Sequence, residues 1–445
     1  MRSRLPFTVN RFTPFRFFVL TSFLLNCLYA LFSFSLTDPN LVLLQWTPYW
    51  NFQQWMWQTF FKNPVLLTQT FLILGTLLFG SYFGMLWQIG EQLQNLKANK
   101  ITANARRFFC KVLVIFGVLS LPLLCSYNAL SHDVFNYLFN AKMLLVYHQN
   151  PHIHVALEFA ADPLTRFMHN THTPAPYGYG WTALSVIPYL AGGGKFLSSW
   201  WMFRLSSVVM LLATASGLWF CLQQVWTGWS DKQKRTSLFG FAAVFLNPLL
   251  LIELISNSHN DAWMLAPAVW AVGLVILAAK KINKKTSVSQ SMTLIIGAVI
   301  LLAISISTKL VTIVLLPILG GVFLLQTPIA SRFKKFEWQW WLGVACAALL
   351  FLPLLTARSQ QFQPWYLSWV LIWLPLIPFR RIQWLIIALS VSSFFRYIPW
   401  LLAGGFSDQI VNEQKMITWI GWLAVLLVFA IVEYALTARS AIIKK

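Results

Sequence analysis

Ser131–Gly180 reads SHDVFNYLFNAKMLLVYHQNPHIHVALEFAADPLTRFMHNTHTPAPYGYG and is the longest interruption in an otherwise apolar chain. Six of the seven histidines (His132, His148, His152, His154, His169, His172) fall in it, as do three of the twelve acids, Asp133, Glu158 and Asp162. Ionisable groups are costly at membrane depth and mark function when they gather there. Polar chemistry this concentrated between apolar runs therefore predicts the wet working loop of a membrane protein.

Working outward, 58% of the 445 residues are hydrophobic and only 10% are charged, which excludes a soluble globule. Apolar runs lie near 17–36, 64–88, 112–128, 204–226, 238–254, 262–279, 291–307, 309–326, 338–355, 367–379, 382–402 and 416–436. The expected fold is all-α: a polytopic integral membrane protein with about 12 transmembrane helices plus re-entrant or surface helices. It forms one domain over residues 1–445, because no stretch outside the spans is longer than the opening loop at 131–180. No repeat of solenoid length and no inverted symmetry is visible.

The net charge of +21 would suit a phosphate backbone. Here, however, Lys and Arg form short clusters between spans, the pattern of cytoplasmic loops. A nucleic-acid partner is excluded and a lipid bilayer expected. The clusters Lys232/Lys234/Arg235, Lys280/Lys281/Lys284/Lys285, Arg332/Lys334/Lys335, Arg380/Arg381 and Arg439/Lys444/Lys445 all fall inside under one topology. That topology is a multi-pass plasma-membrane protein with both termini cytoplasmic and 131–180 outside. It requires that 181–194, WTALSVIPYLAGGG, not cross; its Pro and three glycines suit a re-entrant or surface helix. The first run follows Arg2, Arg4, Arg11 and Arg16 and is too long for a signal peptide, so it reads as a retained helix. A basic loop with Lys97, Lys100, Arg106, Arg107 and Lys111 precedes the third span. Trp46, Tyr49, Trp50, Trp55 and Trp57 make 37–63 an outer interfacial segment.

The five cysteines are scattered singly, with no paired spacing. His152-x-His154 and His169-x-x-His172 have ligand-like spacings, but they lie in a Pro-rich loop without Cys or an HExxH pattern. No metal site and no cofactor is expected. Asp133 follows the third span and opens the amphipathic segment VFNYLFNAKMLLVY, where a half-shielded carboxylate suits a proton acceptor or a grip on a sugar hydroxyl. A plain helix cap is the alternative there, as for Asn260 in the second polar cluster. That cluster is Glu253-Leu-Ile-Ser-Asn257-Ser-His259-Asn260-Asp261, a hairpin between two spans. Lys309, Arg358 and Arg396 fall on the outer side, against the charge rule, where they suit a lipid phosphate. Asn150-Pro151 is a turn signal.

Taken together, Asp133, Tyr137, Asn150-Pro151, Asp162 and Pro176-Tyr177-Gly178 resemble the first external loop of the GT-C superfamily. These are membrane glycosyltransferases that use polyprenyl-phosphate sugars. Glu253…Ser-His259-Asn260-Asp261-Ala and Gln363-Pro-Trp365-Tyr366-Leu-Ser-Trp369 are similar to motifs of its bacterial and archaeal mannosyltransferase branch, including the alpha-1,6-mannosyltransferases. The resemblance covers about residues 110–400. His132 stands where many members carry a second acid, and the turn reads YGYGW rather than YGPLW.

The resemblance implies a GT-C-like fold and hexose transfer, mannose foremost, from a polyprenyl-phosphate donor to a glycan or glycolipid acceptor on the outer face. Asp133 is then the catalytic base of an inverting displacement. Tyr137, Asn150, Asp162, Tyr177, Glu253, Asn257, His259, Asp261, Trp365 and Tyr366 are expected to bind substrate, and Lys309, Arg358 and Arg396 the lipid phosphate. A transporter or flippase of lipid-linked sugar is the rival reading; it predicts polar residues near the bilayer midplane and internal repeats.

Overall fold

The computed structural model describes residues 14–97, 100–283, 288–325, 337–356 and 362–443. Every regular element among them is helical. The first half comprises α1 (Pro14–Ser33), α2 (Thr47–Met56), α3 (Pro64–Gln94), α4 (Ile101–Leu124), α5 (Asp133–Leu145), α6 (Tyr179–Ala191), α7 (Phe196–Val225), α8 (Asp231–Phe245) and α9 (Pro248–Leu251). The second comprises α10 (Asp261–Asn283), α11 (Val288–Thr308), α12 (Leu316–Leu325), α13 (Trp338–Phe351), α14 (Ser368–Leu371), α15 (Arg380–Phe395), α16 (Ile398–Ala403) and α17 (Asp408–Ile443).

Among the described residues, nine helices are long and apolar enough to cross a membrane, and the bent pair Asp231–Phe245 and Pro248–Ser256, counted as one span, would make ten. The protein is a multi-pass membrane protein. The two remaining apolar runs, 309–326 and 367–379, form shorter helices at Leu310–Leu325 and Pro364–Leu376. Pro364 and Pro375 each withdraw a backbone donor from the latter segment, which winds as a 3₁₀ turn, one α turn and another 3₁₀ turn. The segment at 181–194 folds as the thirteen-residue α6 with Pro188 inside it, well short of a span. The basic loop expected before the third span is shorter than the sequence suggests. Helix α4 begins at Ile101 and carries Arg106, Arg107 and Lys111 in its first turns. Lys111 runs along apolar surface, its ammonium 5.8 Å from the Phe15 ring, so its charge does not stop the helix.

Helix α10 is the centre, 83% buried along its apolar length and packed between α7 and α11. Helices α5 and α6 lean on α7; α1 packs on α3 and α4, and α15 on α17. The break between α8 and α9 places the polar hairpin. Asn247 is extended (φ −72°, ψ 123°), as a residue before proline prefers. Its Oδ1 accepts from the Leu249 N–H at 2.9 Å, and its Nδ2 donates to Ser390 Oγ at 3.0 Å. The axis bends by 43° there. Beyond it the chain widens into a π-helical turn, Ile252–Ser256, of the kind that recurs at functional sites. Ser258 then takes a left-handed conformation (φ 58°) before α10 starts at Asp261.

Asn247→Ala removes the cap and the tie to α15 together. A loss of roughly 1–2 kcal/mol is expected, read as a lower melting temperature of the detergent-solubilised protein. Asn247→Ser keeps a capping oxygen without burying a charge and should lose less.

Candidate active site

Helix α5 opens on Asp133, whose carboxylate gains from the positive end of the helix dipole. It caps no backbone N–H. Its Oδ2 instead accepts from the Tyr177 hydroxyl at 2.7 Å and lies 3.3 Å from the Tyr137 hydroxyl. The Nδ1 of His259 stands 3.4 Å from the same oxygen. No described residue donates to Oδ1. The side chain keeps 21% of its surface exposed and lines an open cleft. Burial pushes this carboxyl up, but His259, the Tyr177 hydroxyl and the Lys309 ammonium outweigh it and hold it well below the ordinary carboxylate range.

His259 is fully buried, and its Nε2 faces Glu253 Oε2, also at 3.4 Å. Both contacts are at ion-pair distance, and neither is a well-aligned hydrogen bond. The ring stacks on Trp365 with centroids 4.0 Å apart. Burial lowers imidazole basicity, yet the carboxylates of Asp133 and Glu253 together drive His259 above its usual range. Glu253 is itself fully buried. It accepts from the Tyr397 hydroxyl at 2.8 Å and from Asn257 Nδ2 at 2.9 Å. Asn257 Oδ1 takes the Leu130 N–H at 3.3 Å, which ties the hairpin to the strand of chain leading into Asp133.

A second charged pair lies alongside. Lys309 donates to both oxygens of Asp261, at 2.9 and 2.8 Å, and the indole N–H of Trp369 also donates to Asp261. The ammonium lies 5.4, 5.7 and 5.8 Å from the rings of Tyr177, Tyr366 and Trp369, a cation–π box.

The glycines of the YGYG turn make this assembly possible. A Cβ on Gly178 would sit 1.9 Å from the Ser307 carbonyl oxygen, and one on Gly180 2.0 Å from Ser307 Oγ. Only bare backbone lets the turn dock on the end of α11, where it carries Tyr177 to Asp133 and brings Lys309 to the same place.

Asp133, Tyr137, Tyr177, Glu253, Asn257, His259, Asp261, Lys309, Trp365 and Tyr366 are thus brought together. Other expected residues stand apart. Asp162 is at the far end of α5, paired with Lys142, hydrogen-bonded by Tyr147 at 2.7 Å and capping Leu164 at 2.9 Å. Asn150 closes its own turn through the His152 N–H at 3.0 Å, although Pro151 beside it lines the cleft. Arg396 is buried against α17, where Nη1 donates to Thr418 at 3.3 Å. Arg358 lies outside the described residues. The spaced histidines go separate ways: His152 meets Thr182 at 2.8 Å, His154 meets Glu158 at 2.8 Å, and His169 stacks on His132. The Asn260 side chain has no described partner and is not the helix cap.

Several cleft residues escape the sequence reading. Asn136 and Asn140 line it with Asn170 and Thr173. Their signal was available, since positions three and seven after Asp133 share its helix face. Arg204 is another. It is fully buried, stacked 3.7 Å over Trp200, and no described group accepts from its guanidinium.

A family model described as alpha-(1->6)-mannopyranosyltransferase, N-terminal domain, matches residues 42–325, more than half of the chain. The chain belongs to that family. It is a membrane glycosyltransferase of mannosyltransferase type, acting with a sugar donor and a glycan acceptor. No curated relative and no solved structure matches it. The matched span contains Asp133, Tyr177, the Glu253–Asp261 hairpin and Lys309 of the mannosyltransferase; Trp365, Tyr366 and Trp369 lie beyond it.

Gly178→Ala forces the turn off α11, because the clash is with backbone and no rotamer relieves it. Misplacing Tyr177 by about 1 Å should cost the mannosyltransferase roughly tenfold or more in transfer. The check is turnover at matched protein level, with Tyr177→Phe as the milder comparison.

Proposed function

We propose that the protein transfers mannose from a polyprenyl-phosphate donor to a glycan or glycolipid acceptor, with Asp133 as the base. The observation that carries this is the asymmetry of one carboxylate. Oδ2 is held by Tyr177, Tyr137 and His259, whereas Oδ1 takes no hydrogen bond from a described residue and the side chain opens on a polar cleft. A base needs to be ionised, fixed and reachable, and Asp133 meets all three conditions.

In the proposed step the acceptor hydroxyl gives its proton to Asp133 Oδ1 as its oxygen bonds to the anomeric carbon. The bond from that carbon to the lipid-phosphate oxygen breaks, and its electron pair leaves with the phosphate. A single displacement inverts the anomeric centre, so an alpha product requires a beta-linked sugar phosphate. A (1->6) linkage makes the acceptor oxygen a primary hydroxyl, the least crowded on a hexose. Asn136, Asn140, Asn170 and Thr173 offer donors and acceptors for the acceptor sugar. Lys309, already electrostatically coupled to Asp133, supplies positive charge where the phosphate departs. The basic clusters support an orientation with this cleft outside and both termini cytoplasmic, and residues 37–63 as an interfacial segment.

Membranes expressing the chain should transfer label from radiolabelled polyprenyl-phosphate-mannose. Asp133→Asn should lower transfer about 100-fold or more at unchanged protein level; equal transfer by both would remove Asp133 from the mechanism. Lys309→Gln should also depress turnover, and activity equal to the unmodified chain would assign the phosphate to other cations.

A further inference from the structure

Two fully buried groups beside Asp133, His259 and Glu253, have no surface with which to grip a sugar. Both ring nitrogens of His259 face carboxylates, at 3.4 Å each, and its face is covered by Trp365. Both oxygens of Glu253 are taken, one by Tyr397 and the other by Asn257 and His259. The arrangement is a carboxylate–imidazole–carboxylate chain with one end in the cleft and the other deep in the bundle.

We propose that Glu253 and His259 form a proton-holding relay behind Asp133, with Glu253 a positioning residue that acts through the imidazole. The inference rests on the reading of Asp133 as the base.

The chemistry follows from charge balance. In the proposed resting state both carboxylates are ionised and His259 carries a proton on each ring nitrogen, a net charge of one minus. An imidazolium against Asp133 keeps it ionised but also makes it a weak base. When the acceptor's proton reaches Asp133 Oδ1, that carboxyl becomes neutral and the imidazolium loses half of its counter-charge. Its Nε2 proton then passes to Glu253 Oε2. The result is a neutral carboxyl, a neutral imidazole with its proton on Nδ1, and a second neutral carboxyl. One proton has entered and one has moved, so the count closes at zero charge. Proton uptake at the surface of the chain is thereby coupled to charge removal in its interior, where an uncompensated ion is most expensive.

The groups facing this chain are few. Around Asp133 stand His132 directly before it, Tyr137 on its own helix, Tyr177, Tyr366 and Lys309; around Glu253 stand Tyr29, Asn257 and Tyr397, with Arg396 next to Tyr397. Apart from His259, no described imidazole or carboxylate of the chain faces both ends.

The test is a pH series of mannose transfer for the full-length protein in membranes, comparing Glu253→Gln, His259→Gln and the double variant. With Glu253→Gln the imidazolium still pairs with Asp133 at low pH but has nowhere to send its proton. Transfer should fall about 10- to 100-fold with KM within about twofold. It should then rise with pH as His259, no longer supported by the Glu253 carboxylate, loses its proton more readily than in the unmodified chain. His259→Gln removes the imidazolium and leaves only the Tyr177 hydroxyl and Lys309 to oppose burial at Asp133; its acid limb should move up by about one pH unit or more. The double variant should match His259→Gln, because Glu253 acts only through His259.

A Glu253→Gln variant with raised KM, unchanged turnover and the unmodified pH profile overturns the relay and returns Glu253 to substrate binding or plain structure. If that variant does not accumulate, the acid limb of His259→Gln decides, and an unmoved limb overturns the relay. Asp133→Asn separates the two claims. Its activity would end the base reading and the relay with it, whereas its inactivity beside unmoved pH profiles ends the relay alone.

Discussion

A carboxylate can be buried in a helical membrane bundle only where opposite charge and hydrogen-bond donors meet it, and Glu253 satisfies that condition with one distant residue and two from its own hairpin. Tyr397 comes from the far end of the chain, Asn257 from its own hairpin, and His259 completes the set. Truncating one partner of such a buried set leaves the others uncompensated, at a cost of about 3–5 kcal/mol. The hairpin between α9 and α10 is therefore fixed by electrostatics more than by apolar packing, which in lipid offers little preference between helices. Because Asn257 also holds the Leu130 N–H, the same set locates the start of α5, and so Asp133. The strained φ of Ser258 is tolerable because these contacts over-determine the turn.

The second charged pair solves a related problem in a different way. Lys309 follows directly on α11, where the helix gives way to a 3₁₀ turn, and its ammonium is held by Asp261 within a box of Tyr177, Tyr366 and Trp369. Aromatic faces stabilise a cation without neutralising it. Asp261 is fully committed to Lys309 and Trp369, so the field that Lys309 projects toward Asp133 is reduced but not cancelled. A site that must both ionise a base and receive a departing phosphate needs positive charge of this intermediate kind. A free ammonium would hold the base too weakly basic, and a fully paired one would leave the phosphate unsupported.

How much of this was legible in the sequence follows from the range of each interaction. Apolar run length is local, so the all-helical membrane class and the positions of the spans could be read directly. The breaks were harder. Asn247-Pro248 interrupts 238–254 with a 43° bend whose stability depends on Ser390, which hydropathy does not register. Asp133 stood out because it follows a span and opens an amphipathic helix. Its pairing with His259, 126 residues later, has no local signature; the span topology put both regions on the outer side, and the resemblance to a known motif set grouped them. Asp162 attracted the same attention as Asp133, being an acid in a polar loop. Its oxygens are spent on Lys142, Tyr147 and a backbone cap, a distinction that composition cannot make. Asn136 and Asn140 were within reach of helical spacing alone.

The distribution of hydrogen bonds around Asp133 also bears on why the opening loop is built as it is. A carboxylate exposed on a flexible loop would be ionised, but it would wander, and a 1 Å displacement is enough to spoil a displacement reaction. One buried completely would be rigid, yet unreachable. Placing it at the first turn of α5 fixes its backbone; Tyr137 and Tyr177 fix one oxygen, and the cleft leaves the other free. The Pro-rich stretch from Pro174 to Pro176 serves the same end. It delivers Tyr177 from a rigid turn whose glycines pack against the backbone of α11, so the loop contributes a side chain to the site without contributing its own mobility.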